Sequence, residues 1–496
     1  MKSSRVFLFV FLAAFTAAAQ TGTNTVSTRA MSLTDCIQQA LQQNFDVQIQ
    51  RYNPQISLYN LRAAYDGYDP SFNISGQHNN KEYSSIYESF NTTNQSPGSV
   101  SKNNTFNSDI GGSLPWGLTY DFNGNISETT GTAQPENSDG TIGVKLTQPL
   151  LKNFWIDTTR LNIRVAKNRL KYSEQGLRQQ LITSVTAVVN AYYELIYARQ
   201  NVQVQQEALN LAQTQLDQDN QRVQIGTLAI LSVQQDESQV AQARANLIAA
   251  QSTLDTDEDT LKNLFTDNYS QWQSLDIQPT ATLEALPQSF DLQDSWSKGL
   301  TERPDLLQAK LNVEQQGIQL KYFRNQLFPE LDLTGSYGFA GASGDFRNTF
   351  DQFNEGNSPF YYYGATLTMP LSNIGPRNQY KSTKATLQQI LLQLKQLEQN
   401  VMVQIDTAVK QAEADYQSVQ ATRQARIYAE AALDAEQKTY NVGKATTFEV
   451  LQYQNNLTAA RSQEIRALAN YNEALATLAQ QEGATLQQYN INLEAK

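Results

Sequence analysis

Apolar positions step along much of this chain at intervals of three and four. Leu177, Leu181, Val185, Val188, Tyr192 and Leu195 form one series; Leu387, Leu391, Leu394, Leu397, Val401, Ile405 and Ala408 form another, with Gln, Lys, Arg and Glu between them. This spacing gathers the apolar side chains on one stripe and predicts long amphipathic helices. Continuous from Arg160 to Gln221, such a helix would extend roughly 90 Å at about 1.5 Å per residue. A compact core cannot cover one side of so long a rod, so the helices must pack on each other lengthwise, as in a coiled coil.

Other stretches alternate with period two. "PSFNISGQ" from Pro70, "LTYDFNGNIS" from Leu118, "GTIGVKLTQ" from Gly140, "PELDLTGSYGF" from Pro329 and "YYYGATLTM" from Tyr361 interleave apolar or aromatic residues with small polar ones. Loops rich in Asn, Ser and Gly, such as "NTTNQSPGSVSKNN", lie between them. Strands of this kind have one apolar and one wettable face, which suits a membrane barrel wall and equally a soluble sandwich. Four strands per chain are too few to close a spanning barrel, and an open edge in lipid leaves backbone groups unpaired. A membrane reading therefore requires several copies.

The chain is also duplicated. An offset of 217 residues superposes Gly226 on Gly443, Val233 on Val450, Gln235 on Gln452 and Arg244 on Arg461. An offset of 259 places Leu33, Asp35, Leu41, Asp46, Asn53, Leu61, Pro70 and Gly76 on Leu292, Asp294, Leu300, Asp305, Asn312, Leu320, Pro329 and Gly335. "GVKLTQPLL" from Gly143 matches "GATLTMPLS" from Gly364 at an offset of 221, so the first strand region carries 38 residues more than the second. This surplus, which includes "LPWGL" around Trp116, forms either an added hairpin or a long external loop. Each half then runs helix, Pro, strand region, strand ending in Thr-x-Pro-Leu, long helix, glycine break, long helix.

The boundaries follow. Lys2, Arg5, the apolar run Val6 to Phe15 and Ala17-Ala18-Ala19 make residues 1–19 a secretory signal. Residues 20–31 are read as a linker, 32–270 as the first repeat (strand region about 70–149), and 271–291 as a second linker. The second repeat covers 292–483 (strand region about 329–371), followed by a tail at 484–496. No later stretch reaches the ~18 to 20 unbroken apolar residues of a spanning helix.

Composition narrows the chemistry. A formal net charge of −11 argues against a nucleic-acid partner. Cys36 is the only cysteine, so there is no intramolecular disulfide, and "SLTDC" lacks the small-residue lead of a lipid-anchored start; Cys36 is expected to be an ordinary helix residue. His78, the only histidine, lies in the loop-like "GQHNNKEY", and Asp257, Glu258 and Asp259 are expected on a solvent-facing helix surface. No P-loop, nucleophile elbow or Cys/His cluster is present, so neither catalysis, a cofactor nor a metal is expected.

The motifs together resemble the TolC-like outer-membrane factors. "MSLTDCIQQALQQNFDVQIQ" is similar to the Leu-x-x-Ala-Leu-x-x-Asn helix that opens each half in that family, and the prolines at Pro70 and Pro329, "LTQPLL", "LTMPLS" and the paired "IGT" and "VGK" glycines fit it too, over about residues 32–483. The resemblance implies a mixed α and β membrane protein: a homotrimer whose strands form a twelve-stranded outer-membrane β-barrel in lipid, continuous with a tunnel of long helical hairpins in the periplasm. It implies a passive exit duct of a tripartite efflux or type I secretion system, served by a periplasmic adaptor and an inner-membrane transporter.

It also implies roles for residues. Ile225, Gly226 and Thr227, with Val442, Gly443 and Lys444, match the hairpin tips that meet the adaptor; as plain sequence, each glycine is equally well explained as a turn requiring positive φ. Tyr440 matches a gate tyrosine and Glu449 an acidic ring position, whereas Ala445 stands where arginine is common and Ser232 and Gln452 stand where aspartates occur. Three convergent carboxylates would attract cations; the plain alternative for Glu449 is a solvated helix residue. From another class, a secreted coiled-coil structural or adhesive protein with soluble β regions shares the helical pattern. It has no need of strand blocks at equivalent points of two helical halves.

Overall fold

The computed structural model describes residues 27–84, 98–132 and 135–491. The signal segment at 1–19 lies outside them. The chain starts with a short strand, β1 (Ser27–Met31), and two helices, α1 (Leu33–Gln43) and α2 (Phe45–Ala63). Four strands follow, β2 (Ser71–Tyr83), β3 (Ser99–Ser113), β4 (Thr119–Gly131) and β5 (Asn137–Pro149). The long helix α3 (Thr158–Gln224) then descends, and α4 (Ile230–Phe265) returns to a single helical turn, α5 (Tyr269–Trp272), and a strand, β6 (Leu275–Pro279). The second half repeats the plan with α6 (Leu292–Glu302), α7 (Pro304–Asn325), β7 (Glu330–Ser343), α8 (Phe346–Glu355), β8 (Pro359–Thr368), α9 (Ile374–Asn441), α10 (Thr447–Glu482) and α11 (Thr485–Gln488).

Local chemistry sets many of these boundaries. Ser32 and Asp35 form a capping box at the start of α1, Asn44 caps α2, and Asp157 accepts from the Arg160 N–H to open α3. Pro304 begins α7, where its missing N–H costs nothing. Helices α3 and α9, 67 and 68 residues long, are the two rods predicted from periodicity. Their apolar stripes pack on α4 and α10, and α10 also packs on α3, so the two hairpins lie side by side.

The main apolar core sits midway along the helices. Leu181, Ile182, Val185, Val188, Val189, Tyr192 and Leu195 of α3 meet Cys36, Ile37 and Ala40 of α1 there. The segments expected to be linkers are built into this core: β1 and β6 pair in parallel, Met31 opposite Pro279. Tyr192 donates its hydroxyl to the Met31 carbonyl (3.0 Å) and accepts from the Thr280 N–H (3.2 Å), which locks this belt onto α3. Trp272 packs edge-on against Phe265, with Arg29 over its other side. Glu258 is likewise not solvated as expected. It is buried, accepts from the Ile277 N–H (2.9 Å) and pairs with Lys262 (3.0 Å) and Arg199. Burial of a charge is tolerable here because it is paired and hydrogen-bonded. Asp259 does face solvent, whereas Asp257 is half-buried. The tail begins with α11, whose Leu486 enters the same core.

At the other end of the long helices lies one antiparallel sheet of six strands, ordered β2-β3-β4-β5-β7-β8. This corrects the expected four. The 38 surplus residues contribute a hairpin, β3 and β4, reversed at Leu114–Leu118, where the Gly117 N–H donates to the Leu114 carbonyl and Gly117 takes φ +89°. His78 belongs to strand β2, not a loop, and contacts the Asn104 side chain (2.7 Å).

Register sorts the sheet into two faces. Phe72 and Ile74 lie opposite Ile110 and Ser108, Phe106 opposite Ile126, Phe122 opposite Val144, Ile142 opposite Phe339, and Tyr337 opposite Tyr361, all on one side. The other side carries Asn73 and Asp109, joined by a hydrogen bond (3.0 Å), then Asp121, Asn123, Asn125, Thr141 and Ser336. Among the described residues no second sheet packs on the apolar side, as a sandwich would require. The short amphipathic α8 rests on it at the end far from the long helices, packing Phe346 against Phe106 and bonding Thr349 to the Ser138 carbonyl (3.1 Å). Among the described residues no helix is long and apolar enough to cross a membrane.

Candidate functional site: the hairpin tips and the latch between them

The two hairpins end in matching turns. Gly226 takes φ +76° and Gly443 φ +75°. In the first turn the Gly226 and Thr227 N–H groups donate back to Val223 and Arg222; in the second, Gly443 and Lys444 donate to Tyr440 and Thr439. This is the glycine-closed helix end that satisfies the last carbonyls, and it needs a residue tolerant of the left-handed region. A side chain at either glycine would meet nothing within 4 Å, so backbone conformation alone requires glycine there. Beside the turns, Ile225 and Val442 are exposed, and so are Ile230, Leu231 and Phe448. Sequence reasoning named the first two and missed the other three, which open the returning helices and complete an apolar crown.

Just behind the crown the two hairpins are tied together. The Tyr440 hydroxyl of α9 donates to Asp219 Oδ1 of α3 (2.5 Å), and Thr447 of α10 donates to Asp219 Oδ2 (3.0 Å). Tyr440 and Thr447 also touch each other (3.0 Å). Arg222 stacks over the Tyr440 ring at 4.3 Å, lies 3.8 Å from Asp219 and donates to Asn441 (3.2 Å). Asp219 is fully buried, and its charge is balanced by this set of donors. Burial, and then the hydrogen bond to Asp219, pushes the Tyr440 phenol above its ordinary range.

Asp236 of α4 is the odd member. It is fully buried, and among the described residues neither carboxylate oxygen has a donor. Burial first, and the neighbouring Asp219 carboxylate second, raise it to about 7. In its protonated form Asp236 can donate to Asp219.

The expected gate residues therefore divide. Tyr440 is in the latch. Glu449 is exposed and occupied in a capping box: it accepts from the Thr446 N–H (2.8 Å) and hydroxyl (2.9 Å), and the Thr446 N–H holds its carboxyl below the usual range. Ser232 is half-buried in the first turn of α4, and Gln452 is exposed on α10; neither joins the latch. Asp219, Thr447, Arg222 and Asp236 were not foreseen. A signal existed: Ala212, Gln215 and Asp219 continue the buried stripe of α3, so polar residues stand at seam positions where a coiled coil places apolar ones. Below the latch an open groove of about 890 Å³ runs between α3, α9 and α10, from Glu207, Glu430 and Arg461 to Ile225 and Asn441.

Comparison with known proteins places this geometry. The chain is 27% identical over 321 residues to the outer membrane protein TolC of Escherichia coli, covering 62% of this chain and 63% of that protein, slightly under two thirds of its length. It is 27% identical over 347 residues to the outer membrane efflux protein BepC of Brucella suis, covering 69% of this chain and 72% of that one. Among solved structures, the CmeC outer membrane channel of Campylobacter jejuni shares the fold with a TM-score of 0.66 at 16% identity, over 94% of this chain and 90% of that one. The model of the outer membrane efflux protein family matches residues 36–266 and 296–484. With a lipid-compatible sheet at one end and paired helical hairpins at the other, the chain is a TolC-like outer-membrane protein and belongs to the outer membrane efflux protein family.

Proposed function

We propose that three copies of this chain assemble into a passive exit duct, with the sheets forming a barrel in the outer membrane and the helical hairpins a tunnel in the periplasm. A periplasmic adaptor and an inner-membrane transporter deliver the substrate and supply the energy. The observation that carries this is the pairing of two features in one chain. The open sheet is apolar on one side and polar on the other, and it is joined by α3 and α9 to hairpins whose crowns are exposed and whose interior is latched. A sheet edge in lipid is stable only when another strand covers it, so the duct requires neighbours. The crown of Ile225, Ile230, Leu231, Val442 and Phe448 suits the apolar end of an adaptor hairpin, with the groove beneath it as a side contact.

Asp219, Tyr440 and Thr447 hold the entrance closed in this proposal, and Glu449 adds negative charge at the tip while ordering the first turn of α10. Mass in mild detergent, with planar-bilayer conductance on the same sample, tests the proposal. Trimers that conduct support it; a monodisperse monomer that still inserts and conducts refutes it.

A further inference from the structure

The added hairpin does not hang from the wall. It is inserted into it: β3 pairs with β2 along thirteen residues from Ser71 to Tyr83, and β4 pairs with β5 from Thr119 to Thr129. Strands β2 and β5 are therefore separated by two full strands, and no shorter circuit through the sheet bypasses them. The hairpin also obeys the two-faced pattern of its neighbours. Phe106, Ile110, Phe122 and Ile126 continue the apolar side, and Asn107, Asp109, Asn123 and Asn125 continue the polar one. A decorative hairpin has no reason to keep both faces in phase with the wall.

The edges point the same way. β2 and β8 border the sheet; β2 is exposed throughout and β8 at all but Phe360 and Gly364, with Phe72, Ile74, Tyr361, Tyr363 and Leu367 exposed on the apolar side. β2 runs away from the long helices and β8 runs back toward them. Six is even, so copies arranged around an axis along the helices bring a returning β8 beside an outgoing β2, which is antiparallel. Matching apolar faces then requires an odd-numbered residue of β8 opposite an even-numbered residue of β2, because Tyr361 on β8 and Phe72 on β2 both lie on the apolar side.

We propose that the duct wall is an eighteen-stranded barrel, six strands from each of three copies, closed where β8 of one copy pairs with β2 of the next. The proposal rests on the three-copy duct above and departs from the twelve strands that the family resemblance implies. Barrel diameter grows roughly linearly with strand number, so this wall is about 1.5-fold wider than a twelve-stranded one. Only four strand ends per copy, those of β2, β5, β7 and β8, continue into α2, α3, α7 and α9. The added hairpin of β3 and β4 turns at Leu114–Leu118 without a helix beneath it, so the barrel is widened independently of the helix count.

The test uses the full-length protein in lipid nanodiscs. Electron cryomicroscopy gives the strand count, and native mass spectrometry the copy number. In parallel, Ile74→Cys is combined in turn with Tyr361→Cys, Tyr363→Cys, Ala365→Cys and Leu367→Cys; buried Cys36 does not compete. Eighteen strands, with one combination giving disulfide-linked dimers and trimers, is the expected result. A trimer with twelve strands overturns this proposal and leaves the duct intact. A copy number other than three, with β8 still cross-linking to β2, overturns the trimer and with it the count of eighteen. Absence of cross-links in all four combinations overturns the β8 to β2 closure.

Discussion

Replacing Tyr440 by Phe isolates the latch, because it deletes one hydroxyl and leaves the ring under Arg222 in place. That hydroxyl makes the 2.5 Å bond to Asp219 and the 3.0 Å contact with Thr447. A hydrogen bond to a charged, buried acceptor contributes about 1.5–3 kcal/mol. Thr447 still donates to the other Asp219 oxygen, so the lower end applies, about 1.5 kcal/mol per copy. This corresponds to roughly tenfold in the opening equilibrium of one copy, since about 1.4 kcal/mol is a factor of ten. If three copies open together the factors multiply, to on the order of a thousandfold. Single-channel recording in planar bilayers reads it as open probability. The control is Tyr428→Phe, on the same helix but 69% exposed, which leaves gating unchanged. If Tyr440→Phe records like the parent protein, the Asp219 latch does not close the duct and the seal lies elsewhere.

Three further outcomes follow from the tips. Asp236 is raised to about 7 from the ordinary 3.8, so the closed latch keeps a proton that the opened, hydrated one releases between about pH 4 and 7; closure is strongest in acid and weakens as pH rises through about 7. Open probability rises from pH 5.5 to 8 in the parent and is flat over that range in Asp236→Asn, whose amide donates to Asp219 at every pH; an unchanged slope in the variant refutes the assignment. Gly443→Val forces a β-branched residue to φ +75°, at a cost of about 1–3 kcal/mol, and reduces export while outer-membrane insertion is retained. Gly443→Asn, which tolerates that conformation, restores most of the export, and equal loss in both variants excludes backbone strain as the cause. Glu449→Gln lowers cation preference in bilayer recordings; no change in reversal potential leaves Glu449 as a helix cap only.

The sequence displayed the long-range plan because duplication and helical period are local signals repeated many times. Gly226 and Gly443 were legible as turns for the same reason, each lying between two stripes that reverse there. What escaped depends on partners distant in the chain. Asp219 looks like one more polar helix residue until Tyr440 and Thr447 arrive from more than two hundred positions away. β1 and β6 are five residues each, too short to announce a strand, and only their pairing makes them a belt. Strand β3 was obscured because alternation in "SVSKNNTFNSDIGGS" is diluted by Asn, Ser and Gly on both sides, and only Val100, Phe106 and Ile110 carry its apolar face, whereas β4 was legible in "LTYDFNGNIS". The adhesive-stalk alternative loses its footing on a structural point: its soluble sheet would need a second layer, and among the described residues no second sheet covers the apolar face.

The belt also sets an order of events during biogenesis. β1, which opens the described chain, pairs with β6, some 250 positions later, after β2 to β5 and both helices of the first hairpin have been made. A pairing with so large a sequence separation forms late, because the intervening loop must be closed before the contact contributes anything. Until then, Ile277 remains out of the core and the Tyr192 hydroxyl lacks the Thr280 N–H that donates to it. A chain threaded into the periplasm from its amino end therefore completes its first helical hairpin before its first strand, and the belt clasps only around a hairpin that is already there.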